Sequence, residues 1–464
     1  MKSRLWLAFG AWVATSAVAA PLPDALKGAF KGKSVVLVSI DTLRADRLGA
    51  YGYPRPTSPA IDALARESVV FEQCFSHSPK TAESHMSLFT GVLPSAHGVM
   101  NWTWDGKALA SRPEGLPTLA SLFKDAGYRT VAYTAGGNIS GSLGFDFGFD
   151  VYSESAGPTS LTMARLALDD LLRSREPFFL FVHTYAVHDP YVPGAEYARL
   201  FTDPAYAGRI LSDAERLHAD AASTATKGVA WTQLHEAYWK RVDGKNPRDV
   251  RHVSDLYDAA IRKMDADLAP LIDGVRNAVG DKALFALVSD HGEEFQEHGG
   301  FTHNTVFQEL LHVPLLLRLP GTAPQRVPAV VRQSDLMPTL LALTGLRVPE
   351  HIQSASLLPY LAGMETRSRA VVAEWLQSDR AALRVGDLKY VRGAHEALYD
   401  LASDPGEKQN LLPAAKDRAY PVRLGLNRFS EASFSLRARF GTGRAPKLDA
   451  ETRQQLQALG YIGP

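Results

Sequence analysis

Among its 464 residues the chain has a single cysteine, Cys74. No intrachain disulfide can form, and a cluster of thiolate metal ligands is excluded. An excess of either charge is also missing: lysine plus arginine number 50, and aspartate plus glutamate number 50. Net charge therefore gives no argument for nucleic acid or an anionic membrane surface as a partner. Beyond the first residues no run approaches the ~20 apolar residues of a membrane-spanning helix. Internal repeats and low-complexity stretches are lacking too. What remains is a globular composition, 45% hydrophobic and 22% charged, with length enough for one large domain and a smaller appendage.

The N-terminus reads as a secretory signal, residues 1–20. Lys2 and Arg4 precede an apolar run from Leu5 to Val18, and Ala17-Val18-Ala19-Ala20 offers a cleavage site before Pro21. The expectation is an exported protein, periplasmic or extracellular, with no membrane span once the signal is removed.

Ser34 to Ile40 is a continuous apolar run of strand length, which suits a strand buried on both faces. Phe178–His183, Leu284–Ser289 and Val313–Leu319 have the same character, and Arg129–Ala135 follows a helix that stops at Gly127. Ser58-Pro59 supplies an N-cap and a first-turn proline for a helix to about Glu67, and Ser334-Asp335 caps another to about Thr344. Strands alternating with helices predict an α/β domain over 21–345, a large, mostly parallel sheet flanked by helices. Residues 194–275, rich in helix formers and charge, predict a helical excursion beside that sheet. From 346 to 464 the pattern shifts to short strands (Ala370–Trp375, Ala381–Val385, Leu388–Val391, Ala397–Leu401). Gly386-Asp387 is the tight turn between two of them, and a small antiparallel-sheet α+β subdomain is expected.

Three polar clusters close predicted strands: Asp41, the run His188-Asp189-Pro190-Tyr191, and Asp290-His291-Gly292. An aspartate at a strand end is, by itself, a cap or turn residue. Three clusters at C-terminal strand ends should face one crevice, the ligand edge of an open α/β sheet. The run Thr81-Ala82-Glu83-Ser84-His85-Met86-Ser87-Leu88-Phe89-Thr90-Gly91 is a polar turn entering a short helix that ends on glycine. Its hydroxyls either cap that helix or serve chemistry.

These strings occur in the order found in sulfatase-like members of the alkaline phosphatase superfamily, which the chain resembles from Val38 to Leu411. The matching pieces are Val38 to Gly49 with Tyr51-Gly52, then Thr81 to Gly91 with Pro94 and His97-Gly98, then His188 to Tyr191. Ser289 to Glu293, His303, Val313-Pro314-Leu315, Leu398 to Leu401, Asp404-Pro405 and Asn410-Leu411 complete the series. The resemblance implies an alkaline phosphatase-like fold and hydrolysis of sulfate or phosphate esters. It implies one divalent metal ion (Ca, Mn or Zn) on Asp41, Asp290, His291 and Thr81, carboxylates and imidazole being suitable ligands for such ions. It places Thr81 as nucleophile, and His85 where formylglycine sulfatases carry the arginine of Cys-x-Pro-x-Arg. His188 and His303 match groups that contact the substrate anion or protonate the leaving oxygen, and Asn138 is a candidate for holding a substrate oxygen. His183 and His298 fit either the site or a structural role.

Threonine changes the expected chemistry. Formylglycine arises from cysteine or serine, and the methyl group on the β-carbon of threonine bars the aldehyde, so no formylglycine is expected. Cys74, seventeen residues before Gly91, and Ser78, three before Thr81, miss the register. Unmodified Thr81 would attack in line, helped by metal coordination and the helix N-terminus. The resulting ester must then be cleaved at its central atom, which phosphorus tolerates better than sulfur. The family's Gly-Lys-Trp-His-Leu-Gly stretch is replaced by Tyr133-Thr134-Ala135-Gly136-Gly137-Asn138, and a histidine replaces the lysine expected near position 303. Thr184, four before His188, leaves a second metal site incomplete. The substrate expected is a small-molecule, glycan-linked or lipid-linked ester. A phosphoethanolamine-like transferase and a non-catalytic binding protein on the same scaffold are the other readings.

Overall fold

The computed structural model describes residues 26–464 except 104, 108–109, 155–159, 175, 214–215, 218–230, 280–282, 459–461 and 463–464. The N-terminal signal lies outside the described residues. The catalytic-size domain is built on β1 (Ser34–Ile40), β2 (Val69–Phe75), β3 (Arg129–Tyr133), β4 (Val151–Ser153), β5 (Phe178–Thr184) and β6 (Ala283–Ser289). A two-stranded hairpin, β7 (Glu294–Phe295) and β8 (Phe301–Thr302), follows, then β9 (His312–Val313), β10 (Leu315–Arg318) and β11 (Gln325–Arg332). Its nine-stranded sheet runs β11-β2-β10-β6-β1-β5-β3-β4, with β9 on β2.

The apolar runs become strands because both faces are covered. Val35 and Leu37 point into one core and Val36, Val38 and Ile40 into the other, and β5 and β6 alternate in the same way. The first core is roofed by α2 (Thr81–Thr90), α3 (Leu119–Asp125) and α7 (Leu336–Leu343). On the opposite face lie α1 (Pro59–Ala65), α4 (Ser160–Arg173) and α6 (Pro247–Gly274). Helix α3 opens on a capping box between Thr118 and Ser121, and α1 carries Pro59 in its first turn.

Strands β1, β5, β6 and β3 are parallel, which brings their C-terminal ends to one edge. Strand β10 departs from this and runs antiparallel to β6. Between the two the chain folds the β7–β8 hairpin, a single helical turn at Gln308–Leu311 and β9, a connection that returns it on the same edge in the opposite direction.

Within residues 194–275 the last third is α6, a sheet-covering helix whose Val253, Leu256, Ile261, Met264 and Leu268 are buried in the core. Helix α6 also clamps the loop after β1. The Tyr257 hydroxyl donates to Thr42 O at 2.6 Å and accepts from Arg44 N at 2.9 Å, and Arg47 pairs with Asp258 at 3.0 Å. The earlier part includes α5 (Trp231–Trp239).

Beyond 346, β12 (Val371–Trp375), β13 (Arg380–Val385), β14 (Leu388–Arg392) and β15 (Ala397–Asp400) form the antiparallel sheet expected. Two further helices, α8 (Lys416–Phe440) and α9 (Ala450–Ala458), complete the chain. Helix α8 packs Val422 and Leu426 against this sheet, whereas Leu357, Leu358, Leu456 and Ile462 return to the first core.

Candidate active site

Asp41 follows β1 directly and Thr42 turns the chain with φ 56, a left-handed conformation that a β-branched residue rarely adopts. The turn sends Thr42 N–H to Asp290 Oδ1 at 3.2 Å, so the ends of β1 and β6 are tied through an acidic side chain. Asp290 Oδ1 also accepts from His291 N at 2.9 Å. Its Oδ2 and both oxygens of Asp41 are buried and meet no donor in hydrogen-bond geometry. Burial pushes the Asp41 carboxyl up to about 7, the neighbouring Asp290 and Thr81 side chains opposing only in part. Asp290 is pushed well above the carboxylate range by burial and then by the charge of Asp41. Two adjacent buried acids short of positive charge are what a cation site looks like before its ion is counted.

His291 completes the set. Its Nδ1 lies 3.0 Å from Gly292 O, an interaction that puts the proton there and leaves the lone pair on Nε2. Nε2 stands 3.5 Å from Asp290 Oδ2 and 3.4 Å from Thr81 Oγ1. Ligand atoms of Asp41, Asp290 and His291 all lie within 4.8 Å of one another. The four residues expected to hold one divalent ion are therefore gathered at one point, and the donor set of carboxylate, imidazole and hydroxyl fits such an ion.

Thr81 begins α2, whose exposed N–H groups and dipole favour negative charge at that end. Asn101 fixes the start of the helix by accepting from Ala82 N at 2.8 Å, and the Ser84 hydroxyl donates to Asp290 O at 2.7 Å. His85 is fully buried one turn on. Nδ1 lies 2.9 Å from Thr81 O, and Nε2 lies 2.9 Å from Ser39 Oγ, so both ring nitrogens serve internal partners. Burial holds its pKa down to about 4. The resemblance gives His85 a catalytic place, and in the structure its ring touches Thr81 O and Ser39 Oγ.

His303 and His188 line the same cleft, their ring centroids 5.3 Å apart, with His303 4.6 Å from His291. His303 Nδ1 meets Glu293 Oε1 at 3.0 Å, and the Tyr191 hydroxyl donates to Glu293 Oε2 at 2.7 Å. His188 Nδ1 is 2.8 Å from Asp189 O and 3.2 Å from Asp189 Oδ1. Asp189 Oδ2 in turn meets His235 Nε2 at 2.8 Å and Trp239 Nε1 at 2.6 Å, both from α5. Although burial opposes it, His235 and His188 hold the Asp189 carboxyl well below its usual value.

Asn138 lies next to the Asn101 segment. Its Oδ1 accepts from Trp102 N at 3.0 Å, and its buried Nδ2 has no partner among the described residues. His183 turns out to be a site neighbour, with Nε2 3.5 Å from Asp41 Oδ2. His298 is structural: it pairs with Glu309 at 3.1 Å and stacks on Phe307. Glu293 and His235 escape the sequence reading because they act through contacts that close only in three dimensions.

A family model described as Sulfatase matches residues 33–346, and one described as N-sulphoglucosamine sulphohydrolase, C-terminal, matches residues 296–425. A Delta 4,5-hexuronate-2-O-sulfatase of Bacteroides thetaiotaomicron is 26% identical over 462 residues, covering 92% of this chain and 93% of that protein. A choline-sulfatase of Rhizobium meliloti is 27% identical over 421 residues, covering 76% and 77%. Among solved structures, the phosphonate monoester hydrolase of Agrobacterium radiobacter superposes with a TM-score of 0.66 at 22% identity, over 88% of this chain and 96% of that one, a likeness of fold.

Proposed function

The chain belongs to the sulfatase family, and on that premise we propose that it is a metal-dependent hydrolase of sulfate esters whose nucleophile is the unmodified Thr81. The observation that carries this reading is the Thr81 hydroxyl at the start of α2, 3.4 Å from His291 Nε2 and facing the unpartnered carboxylate oxygens of Asp41 and Asp290. Asp41, Asp290, His291 and Thr81 would hold one divalent ion. Bound there, the ion supplies the positive charge that lowers the proton affinity of an adjacent hydroxyl and of the ester's oxygens.

The chain's own groups do the rest. Thr81 Oγ1 attacks the central atom in line and gives its proton to one of the cleft histidines, His188 or His303, while the bond to the alcohol breaks and the departing oxygen takes a proton from the other. Glu293 fixes the ring of His303 and Asp189 that of His188, so each presents its proton from a set direction. Water then attacks the central atom of the threonine ester and gives a proton to the histidine that protonated the alcohol; the bond to Thr81 Oγ1 breaks, that oxygen regains its proton from the other histidine, and the inorganic acid leaves.

A sugar sulfate is the substrate class that the hexuronate-sulfatase relative supports. A phosphate ester is the second reading, favoured by threonine itself: it offers no elimination route, and phosphorus accepts the second displacement more readily. The test compares an aryl sulfate, sugar sulfates, a phosphate monoester and a phosphate diester as substrates of the wild type and of Thr81→Ala. Full activity in Thr81→Ala would remove the nucleophile assignment. Preference for the phosphate esters would favour the second reading. Products measured with and without an added alcohol acceptor separate hydrolysis from transfer. We also assign residues 1–20 to an export signal, which N-terminal sequencing of the mature protein in a fractionated host checks.

A further inference from the structure

Lys80 has no part in the chemistry above, yet it precedes the nucleophile. It is only 8% exposed, and it occupies the N-cap of α2, where its side chain can accept no hydrogen bond from the helix and its charge opposes the positive end of the dipole. The fold keeps a buried cation there at a local cost. Its ammonium donates to Asn304 Oδ1 at 2.9 Å and lies 4.6 Å from the centre of the Trp375 ring. An ammonium has three donors, and only one is used by a side chain among the described residues. No carboxylate there approaches within ion-pair distance. Glu83, on the next residues of the helix, has one oxygen occupied by the Ser78 hydroxyl.

Burying a charge is unfavourable unless counter-charges and hydrogen bonds offset it, and here the carboxylates of Glu83 and Glu293 act on Lys80 only from beyond ion-pair distance. The remaining donors of the ammonium leave room for an anion on the site side. Asn304 is the neighbour of His303, and the charge of Lys80 reaches both His291 and His303. We propose that Lys80 is the cationic contact for the anionic oxygens of the bound ester, holding the sulfate or phosphate group against Thr81, with Asn304 and Trp375 aiming its ammonium. It would replace the two lysines that the sequence lacks relative to the family pattern. This inference rests on the proposed reading of the site as one for tetrahedral oxyanion esters.

The test uses the full metal-loaded protein and inorganic sulfate and phosphate as probes, titrated calorimetrically. Lys80→Gln and Lys80→Met should weaken anion binding by about tenfold or more, and Lys80→Arg should retain most of it. In the wild type, sulfate should protect Lys80 from acetic anhydride, read by peptide mass spectrometry. Equal anion affinity in wild type and Lys80→Met, no sulfate binding to the wild type, or no protection would each overturn the proposal. So would a steep loss of melting temperature in Lys80→Met that Glu83→Gln restores, because Lys80 would then be a structural counter-charge for Glu83. Turnover is measured on the same preparations. Lys80-dependent sulfate binding without turnover of any ester defeats the hydrolase reading and leaves this one standing. Turnover with Lys80-independent binding does the reverse.

Discussion

Thr81 Oγ1 and His291 Nε2 lie 3.4 Å apart, joining the first residue of α2 to the loop that closes β6. The contact brings the hydroxyl beside the buried carboxylates of Asp41 and Asp290, of which both Asp41 oxygens and Asp290 Oδ2 lack donors among the described residues. Removing the hydroxyl should therefore damage chemistry far more than folding. Thr81→Ala is expected to lower kcat by roughly three orders of magnitude or more, and Thr81→Ser to stay within about tenfold of the wild type. Ester turnover by the two variants, with mass spectrometry for a sulfuryl or phosphoryl adduct on Thr81, checks this. An active Thr81→Ala enzyme contradicts it.

The acidic pair gives a pH dependence with a definite sign. Without metal the Asp41 carboxyl is held up to about 7 and Asp290 well above the carboxylate range, both chiefly by burial. Between the unfolded value near 3.8 and 7 the folded, metal-free chain then binds more protons than the unfolded chain. Asp41 therefore contributes stability at low pH that is lost as pH rises through 7. A divalent ion reverses the preference, since it binds the ionised carboxylates and displaces the proton. The rise in melting temperature on adding Ca, Mn or Zn should grow from pH 5.5 to 8, and binding should release protons. Calorimetry in two buffers of different ionisation enthalpy measures the release. A metal effect independent of pH would count against Asp41 and Asp290 as ligands.

How much of this was legible in the sequence depends on whether contacts are local. Strand β1 reads correctly from Ser34 to Ile40 because both its faces are buried and the run is unbroken. Strand β2 hides behind half-buried Glu72 and Gln73, and β11 behind Pro328, which the sheet accommodates at a register shift between Val327 and Val330. Helix α8 leaves little pattern because only a narrow stripe around Ala419, Val422 and Leu426 is buried. In the site, Asp41, Thr81, Asp290 and His291 stand out because each ends a strand or begins a helix within a contiguous string. The Asp189–His235 and Glu293–His303 pairs depend on how α5 and the β7–β8 hairpin fold back, and spacing along the chain cannot reveal that.

His303 should matter in proportion to how badly the leaving group needs a proton. Its Nδ1 is committed to Glu293 at 3.0 Å, which turns the other face of the ring toward the cleft. His303→Ala is expected to slow alkyl or sugar esters by roughly 10²–10⁴, and p-nitrophenyl esters far less, because nitrophenolate departs without protonation. Glu293→Gln should give an intermediate loss with the same leaving-group bias. Rates over a series of leaving groups provide the readout, and equal losses across the series would assign His303 to anion binding instead.

Behind that histidine, the C-terminal sheet holds the loop in place through one buried ion pair. Lys389 Nζ meets Glu407 Oε1 at 2.7 Å, and both residues are only 2% exposed. Lys389 also donates to Val306 O at 2.6 Å, and Glu407 Oε2 accepts from Gln308 N at 2.7 Å. The pair thus grips the segment just after His303 from two sides. Removing one partner strands a buried charge, so Lys389→Met should cost roughly 3–5 kcal/mol in denaturant unfolding. The double variant Lys389→Met/Glu407→Gln should recover a large part of that, because the orphaned charge is gone, yet it still lacks the tie to Val306. Its stability should approach the wild type while its turnover of poor leaving groups stays low. Recovery of both together would mean that this ion pair stabilises the sheet without positioning His303.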